Sequence, residues 1–299
     1  MTIAESTTLH SRLLAICNLT SQVRMPGIFA DDTGPWWDAA GLSEYPHAIT
    51  AGDFAINAAL LGRIEHEDQP KTFVCFRGTL AFNDQNATEN QKSLDWIGDF
   101  HGLLVGWRGM PGRVHEGFSA SLESLEGQIE LFAQESPPRI YCGHSKGGAM
   151  AQLAAFYYCQ TRARPCVCVT FGAPRVADAA FASAFDESGV SLVRYENHGD
   201  VVPMVPFDPR AGMILATAFG KTLPVADYHS LGDVSYIGPD GSISRFYTDL
   251  GKLECNGEQL LGIASTFARG GFEGIVQAHG IDMNHGYSRA VAPEVHRAS

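Results

Sequence analysis

Gly143-His144-Ser145-Lys146-Gly147 constrains this chain more than any other stretch. It has the form G-x-S-x-G, which places a serine on a sharp turn from a strand into a helix. The apolar run Ile140-Tyr141-Cys142 predicts the strand, and Ala149-Met150-Ala151-Gln152-Leu153-Ala154-Ala155-Phe156 predicts the helix. Small residues must flank the serine, because the backbone bends hard and the helix packs close to the sheet. The hydroxyl is then raised above the sheet, beside a helix N-terminus that favours developing negative charge. A Gly-rich connector would show the same five letters, and the chain has 32 glycines in 299 residues. Partners elsewhere must decide between the two.

The remaining pattern suits a sheet covered by helices. Phe54 to Ile64 and Thr72 to Arg77 are apolar runs joined by Glu65-His66-Glu67-Asp68-Gln69-Pro70, a hairpin signal. After residue 115, strands and helices alternate. Helical spacing covers Phe118 to Phe132, and a helix is expected near Ala177 to Phe185. Strands are expected at Cys166 to Phe171, Leu192 to Tyr195 and Val234 to Ile237. This alternation predicts an α/β fold with a mostly parallel central sheet, helices on both faces and an antiparallel hairpin toward the N-terminal end. Leu9, Leu13, Leu14 and Ile16 predict an amphipathic helix ahead of a Gly/Pro/Trp-rich loop through Trp36-Trp37. No repeat or linker divides the chain, so one domain over 1–299 is expected.

Composition removes several function classes. The formal net charge is -12 and the pI about 5.3. Nucleic-acid binding needs a basic face and is not expected. Seven cysteines, mostly in apolar runs such as Phe73-Val74-Cys75-Phe76, read as buried free thiols in a reducing compartment. No C-x-x-C pair occurs, so no thiolate zinc site is expected. No transmembrane span and no signal peptide are expected, which suggests a cytoplasmic protein or one exported without a conventional signal.

A serine hydroxyl needs a histidine to take its proton, and the histidine needs a carboxylate. In a strand-turn-helix elbow of this kind the acid follows the serine in the chain and the histidine comes last. Asp200 fits, because Arg194-Tyr195-Glu196-Asn197-His198-Gly199-Asp200 runs from a strand into a turn. Glu196 competes from the strand itself, while Asp178 and Asp186 read as solvated helix residues. Four histidines follow: His229, His279, His285 and His296. His229 is too early and His296 too near the terminus. His279 is expected on a loop before a final helix starting near Asp282, with His285 inside that helix. His279 is preferred as base and His285 is the alternative; the blander reading of each is a cap or surface histidine. An oxyanion needs two backbone donors. Lys146 N–H is one, and Thr79, ending Phe76-Arg77-Gly78-Thr79, is the candidate for the other. No cofactor or metal is called for.

These blocks together resemble a family. Phe76-Arg77-Gly78-Thr79, Trp96-Ile97-Gly98-Asp99, Val114-His115-Glu116-Gly117-Phe118, the serine elbow, Thr170-Phe171-Gly172-Ala173-Pro174-Arg175-Val176 and Asp200-Val201-Val202-Pro203 occur in the order and rough spacing of class 3, fungal-type lipases. The resemblance implies an α/β-hydrolase fold and ester hydrolysis on acyl lipids. It implies Ser145 as nucleophile, Asp200 as acid, Thr79 and Lys146 as oxyanion donors, and no role as base for His115 or His229. Family members carry a tyrosine a few residues after the histidine, whereas His279 and Tyr287 are farther apart. The family's lid falls at 80–94, which is polar here with only Leu80, Phe82 and Leu94 as large apolar residues. A transient lipid-interface contact through 80–94 is expected, with weak interfacial activation, so small esters should serve as well as triglyceride.

Overall fold

A computed structural model describes residues 7–25, 28–29, 34–42, 44–66, 69–79, 102–207, 227–247, 249–281 and 286–292. Eight strands form one sheet: β1 (His47–Ala51), β2 (Asn57–His66), β3 (Gln69–Phe76), β4 (Ile140–His144), β5 (Val167–Phe171), β6 (Ser191–Asn197), β7 (Asp233–Ile237) and β8 (Ile243–Phe246). Every strand lies beside its neighbour in the chain. β3 to β7 run parallel, while the β1–β2, β2–β3 and β7–β8 pairs are antiparallel. The fold expected from the sequence is therefore the one found, with β8 as an additional antiparallel edge. The hairpin turn is tighter than expected: β2 runs to His66 and β3 starts at Gln69.

The parallel strands read as continuous apolar runs because both faces are covered. Side chains alternate between two cores, as a period of two requires. Leu61, Val74, Phe76 and Tyr141 face one core, with α3 (Glu116–Glu135) and α4 (Lys146–Arg162) packed on it. Leu60, Phe73, Cys75 and Cys142 face the other, under α1 (Thr7–Ser21) and Trp36. α4 is buried on nearly every side, which explains its run of alanines: a thicker helix would not fit against the sheet.

Three readings need correction. Trp36-Trp37 is not loop but part of α2 (Gly34–Ala40). Pro35 fits the first turn of a helix, where no backbone N–H is needed, and burial of Trp36 beside α1 outweighs the loop-like composition. Asp178 is not solvated. It caps α5 (Ala179–Asp186), accepts from Phe181 N at 3.0 Å and pairs with Arg113 at 3.1 Å, whereas Asp186 is exposed as expected. Finally, a long helix absent from the sequence reading, α6 (Asp249–His279), is broken at Gly271 (φ 58°) and ends on His279. The last described helix is α7 (Ser288–Val291), and 282–285 lie outside the described residues. Among the described residues no helix is long and apolar enough to cross a membrane.

Candidate active site

The carboxyl ends of β3 to β6 converge on Ser145. This serine follows β4 and caps α4 with φ 58° and ψ -132°, a positive φ that non-glycine residues rarely adopt. Neighbouring backbone holds it there. Ser145 N donates to Phe171 O at 3.0 Å, and Ser145 O accepts from Gly148 N at 2.9 Å. The glycines permit the approach: a Cβ on Gly143 would lie 2.3 Å from the Gly147 carbonyl, and one on Gly147 would lie 2.0 Å from the Phe76 carbonyl oxygen. Ser145 is 3% exposed, and its Oγ has no hydrogen-bond partner among the described residues.

Asp200, fully buried, lies in the turn after β6. Its Oδ2 accepts from His279 Nδ1 at 2.8 Å and from the Tyr287 hydroxyl at 2.5 Å, and its Oδ1 accepts from Val202 N at 2.9 Å. His279 packs over Gly172, where a Cβ would meet the imidazole at 3.0 Å and Asp200 Oδ2 at 2.8 Å. Gly172 follows Phe171, whose carbonyl holds Ser145. The imidazole is thus brought to the serine elbow from the opposite end of the chain. His144 closes the other side, its ring 4.4 Å from that of His279. His144 Nε2 donates to the His279 carbonyl at 2.8 Å. Burial, and then the neighbouring His279 charge, hold its pKa well below the usual range. It stays neutral and adds no positive charge beside His279.

The strand-end turn completes the arrangement. A Cβ on Gly78 would sit 3.3 Å from Ser145 Cβ, so Gly78-Thr79 runs directly alongside the serine. Lys146 opens α4 on the same side. A buried serine, a histidine oriented by a buried carboxylate, and backbone donors at a helix start are the parts that acyl transfer requires.

A family model described as lipase (class 3) matches residues 73–209. The Rhizopus niveus lipase is 31% identical over 157 residues, 48% of this chain and 37% of that protein. The rice phospholipase A1 EG1 is 33% identical over 108 residues, 32% of this chain and 25% of that protein. The structure of Rhizomucor miehei triacylglyceride lipase superposes with a TM-score of 0.58 at 21% identity, covering 83% of this chain and 87% of that one. Residues 73–209 thus resemble the class 3 lipases, and the fold is that of the α/β-hydrolases. The chain spans well under half the length of the curated relatives it matches.

The residues expected from the sequence divide clearly. Ser145, Asp200, His279, Gly78-Thr79 and Lys146 come together. His279 does so from the last turn of α6 rather than from the expected loop, because the helix reaches over the strand ends. His285, the Trp96-Ile97-Gly98-Asp99 block and the expected lid at 80–94 lie outside the described residues. Glu196 stays on β6, paired with Arg194 at 3.2 Å, with its carboxyl pKa raised by burial. His115 is a helix cap, accepting from Gly117 N at 3.1 Å, and His229 pairs with Asp227 near the surface.

Two contributors received no role from the sequence: His144 was not singled out, and Tyr287 was weighed only for its spacing from His279. His144 occupies the variable position of the elbow, where spacing carries no information about the ring. Tyr287 reaches Asp200 although eight positions separate it from His279. The chain doubles back, with Tyr287 N donating to Gly280 O at 3.0 Å, and Gly286 is close enough to Gly280 that a Cβ would overlap its carbonyl. Burial, and then the Asp200 charge, raise the Tyr287 pKa, so the phenol remains a donor.

All seven cysteines are buried free thiols. Three of them, Cys17, Cys75 and Cys142, bring their sulfurs within 4.8 Å of one another inside the apolar core under α1. The absence of a C-x-x-C spacing did not anticipate this grouping, because the three come from α1, β3 and β4.

Proposed function

We propose that this chain is a serine carboxyl-ester hydrolase acting on acyl lipids. Ser145 Oγ attacks the ester carbonyl while His279 takes its proton. Asp200 fixes the imidazole with Nδ1 protonated and stabilises its charged form. The N–H groups of Lys146 and Thr79 receive the oxyanion. His279 then protonates the leaving alcohol, and water, activated by the same imidazole, releases the acyl group. No cofactor enters this scheme. The observation that carries it is the 2.8 Å His279–Asp200 contact, delivered across 79 residues to the strand ends beside a serine with positive φ.

A phospholipase A1 reading uses the same residues, and the similarity to rice phospholipase A1 EG1 favours keeping it. A binding module on a hydrolase fold is the contrasting reading. Labelling by a fluorophosphonate separates the classes: it should occur in the wild type and vanish in Ser145→Ala. Unlabelled but folded wild-type protein would leave the binding module ahead. A p-nitrophenyl ester series on wild type, His279→Ala and His285→Ala should show turnover lost only in His279→Ala. Loss confined to His285→Ala would transfer the base role and leave the rest of the scheme standing. Fatty-acid release from phospholipid against triglyceride then separates the two lipid substrates.

A further inference from the structure

Two cations at the serine elbow have no carboxylate partner among the described residues. Lys146 Nζ donates to Asn57 Oδ1 at 2.7 Å, and Asn57 Nδ2 donates on to Ser124 Oγ at 3.0 Å. The Arg77 guanidinium is 3% exposed as a residue and donates to the backbone carbonyls of Val23 and Ala55. Neither forms an ion pair among the described residues. Removing a cation from water without an anion is costly, so proteins normally pair buried charges. Both cations sit at the edge where the parallel strands end. Asn57 opens β2 there, Arg77 N donates to Ala58 O at 2.9 Å, and the start of α4 packs on the Phe76 carbonyl. Arg77 immediately precedes the Gly78-Thr79 turn in the chain, Lys146 immediately follows Ser145, and the Arg77 charge acts on Lys146.

We propose that Lys146, with Arg77 behind it, forms an anion subsite next to the ester position, and that the preferred substrates are acyl esters carrying a negative charge near the scissile bond. This rests on the serine-hydrolase reading and adds the charge of the substrate. A fixed positive charge in a poorly hydrated corner attracts an anionic substrate more strongly than the same charge in bulk water would. The family fold gives no reason for a lysine here, because the oxyanion donor at this position is the backbone N–H, which any residue supplies.

The charge of this subsite depends on pH. Burial, and then the positive Arg77, lower the Lys146 pKa to about 8. Asn57 from β2 and Ser124 from α3 are neutral; Glu123 and Glu126 of α3 are held by Arg108, and His144 on the serine side is neutral. The ammonium is therefore present below pH 8 and lost above it. Preference for anionic esters is full below that pH and disappears as pH rises through it.

Matched pairs test this. One pair is 1-octanoylglycerol and 1-octanoyl-glycerophosphoglycerol, whose phosphodiester keeps one charge throughout. The other is p-nitrophenyl hexanoate and the p-nitrophenyl monoester of adipic acid. The quantity read is the ratio of kcat/KM, anionic over neutral, from pH 6.5 to 9.5. Wild type should show a ratio that falls roughly ten-fold through pH 8. Lys146→Met should give the low ratio at every pH, and Lys146→Arg the high one. A response in either pair supports the subsite and identifies its anion as phosphate or carboxylate. A pH-independent wild-type ratio in both pairs overturns the proposal, with or without a folded Lys146→Met, and so does a Lys146→Met ratio equal to wild type. Folded wild type that hydrolyses none of the four esters overturns the hydrolase reading itself; turnover with flat ratios overturns the subsite alone.

Discussion

On the Ser145 side of the site the backbone does the positioning. Phe76, Gly143, Gly147 and Phe171 fix the serine through carbonyl contacts and missing side chains, within a strand, a turn and a helix. On the His279 side the positioning passes through side chains. Asp200 accepts from His279, Tyr287 and Val202, while Asn197 ties the end of β6 to Ala278 O at 2.7 Å and to the Tyr287 hydroxyl at 3.1 Å. The first half tolerates no added atom. The second is a hydrogen-bond network whose members can be removed singly. The difference teaches that one site can be all-or-none around Ser145 and graded around His279.

The largest expected effect tests the rigid half. Gly147→Ala puts a methyl 2.0 Å from the Phe76 carbonyl oxygen, against the backbone of Phe76 and Arg77 at the end of β3. Either β3 or α4 must move. Stability should fall by at least about 3 kcal/mol, read by urea denaturation, with fluorophosphonate labelling lost in whatever fraction folds. Unchanged stability with full labelling would break the comparison, because the elbow would then be as forgiving as the network.

Asp200→Asn should come next, in activity more than in stability. The carboxylate uses both oxygens as acceptors, Oδ1 for Val202 N and Oδ2 for His279 and Tyr287. An amide has one acceptor oxygen, so its NH2 must face a donor on one side or the other. If it faces His279, the imidazole changes tautomer and cannot accept the serine proton. We expect kcat to fall by about 10³–10⁴-fold, with the fold retained by circular dichroism. A loss below ten-fold would show that His279 is oriented without Asp200.

How much of this was legible in the sequence follows the same division. The Ser145 half is written in consecutive letters, so Ser145, Lys146 and Gly78-Thr79 could be placed from Gly spacing, an apolar strand and a helix behind it. Asp200 was legible because a strand running into a turn marks the carboxyl edge of a sheet. Chain order left His279 and His285 as candidates, and His279 was preferred for an expected loop position, which the structure replaces with the last turn of α6. The Gly-rich stretch Gly270-Gly271 masks the continuity of α6, which helical spacing would otherwise have shown. Asp178 was misjudged for a related reason: the residue before a helix and the residues within it look alike until the cap hydrogen bond to Phe181 N is seen. His144 could not be found, since its role depends on the ring standing 4.4 Å from a histidine 135 residues away.

Tyr287→Phe sharpens the comparison at its fine end. The change removes one hydroxyl, leaves the ring packed against Phe171 and His144, and alters no volume the core would notice. Asp200 Oδ2 loses one of its two donors, and Asn197 N loses its acceptor. A hydrogen bond to a charged group in a buried site contributes about 1.5–3 kcal/mol, part of it recovered as the network relaxes. We expect stability to fall by roughly 1–2 kcal/mol and kcat by about three- to ten-fold, with KM little changed, since the phenol touches Asp200 and not the ester. A double-mutant cycle with Asp200→Asn gives the decisive number. If the tyrosine acts through Asp200, its effect on kcat should largely vanish once Asp200 is asparagine. Additive losses would mean that Tyr287 supports the strand end through Asn197 alone, and the acid–base half would then rest on backbone positioning more than its side-chain contacts imply.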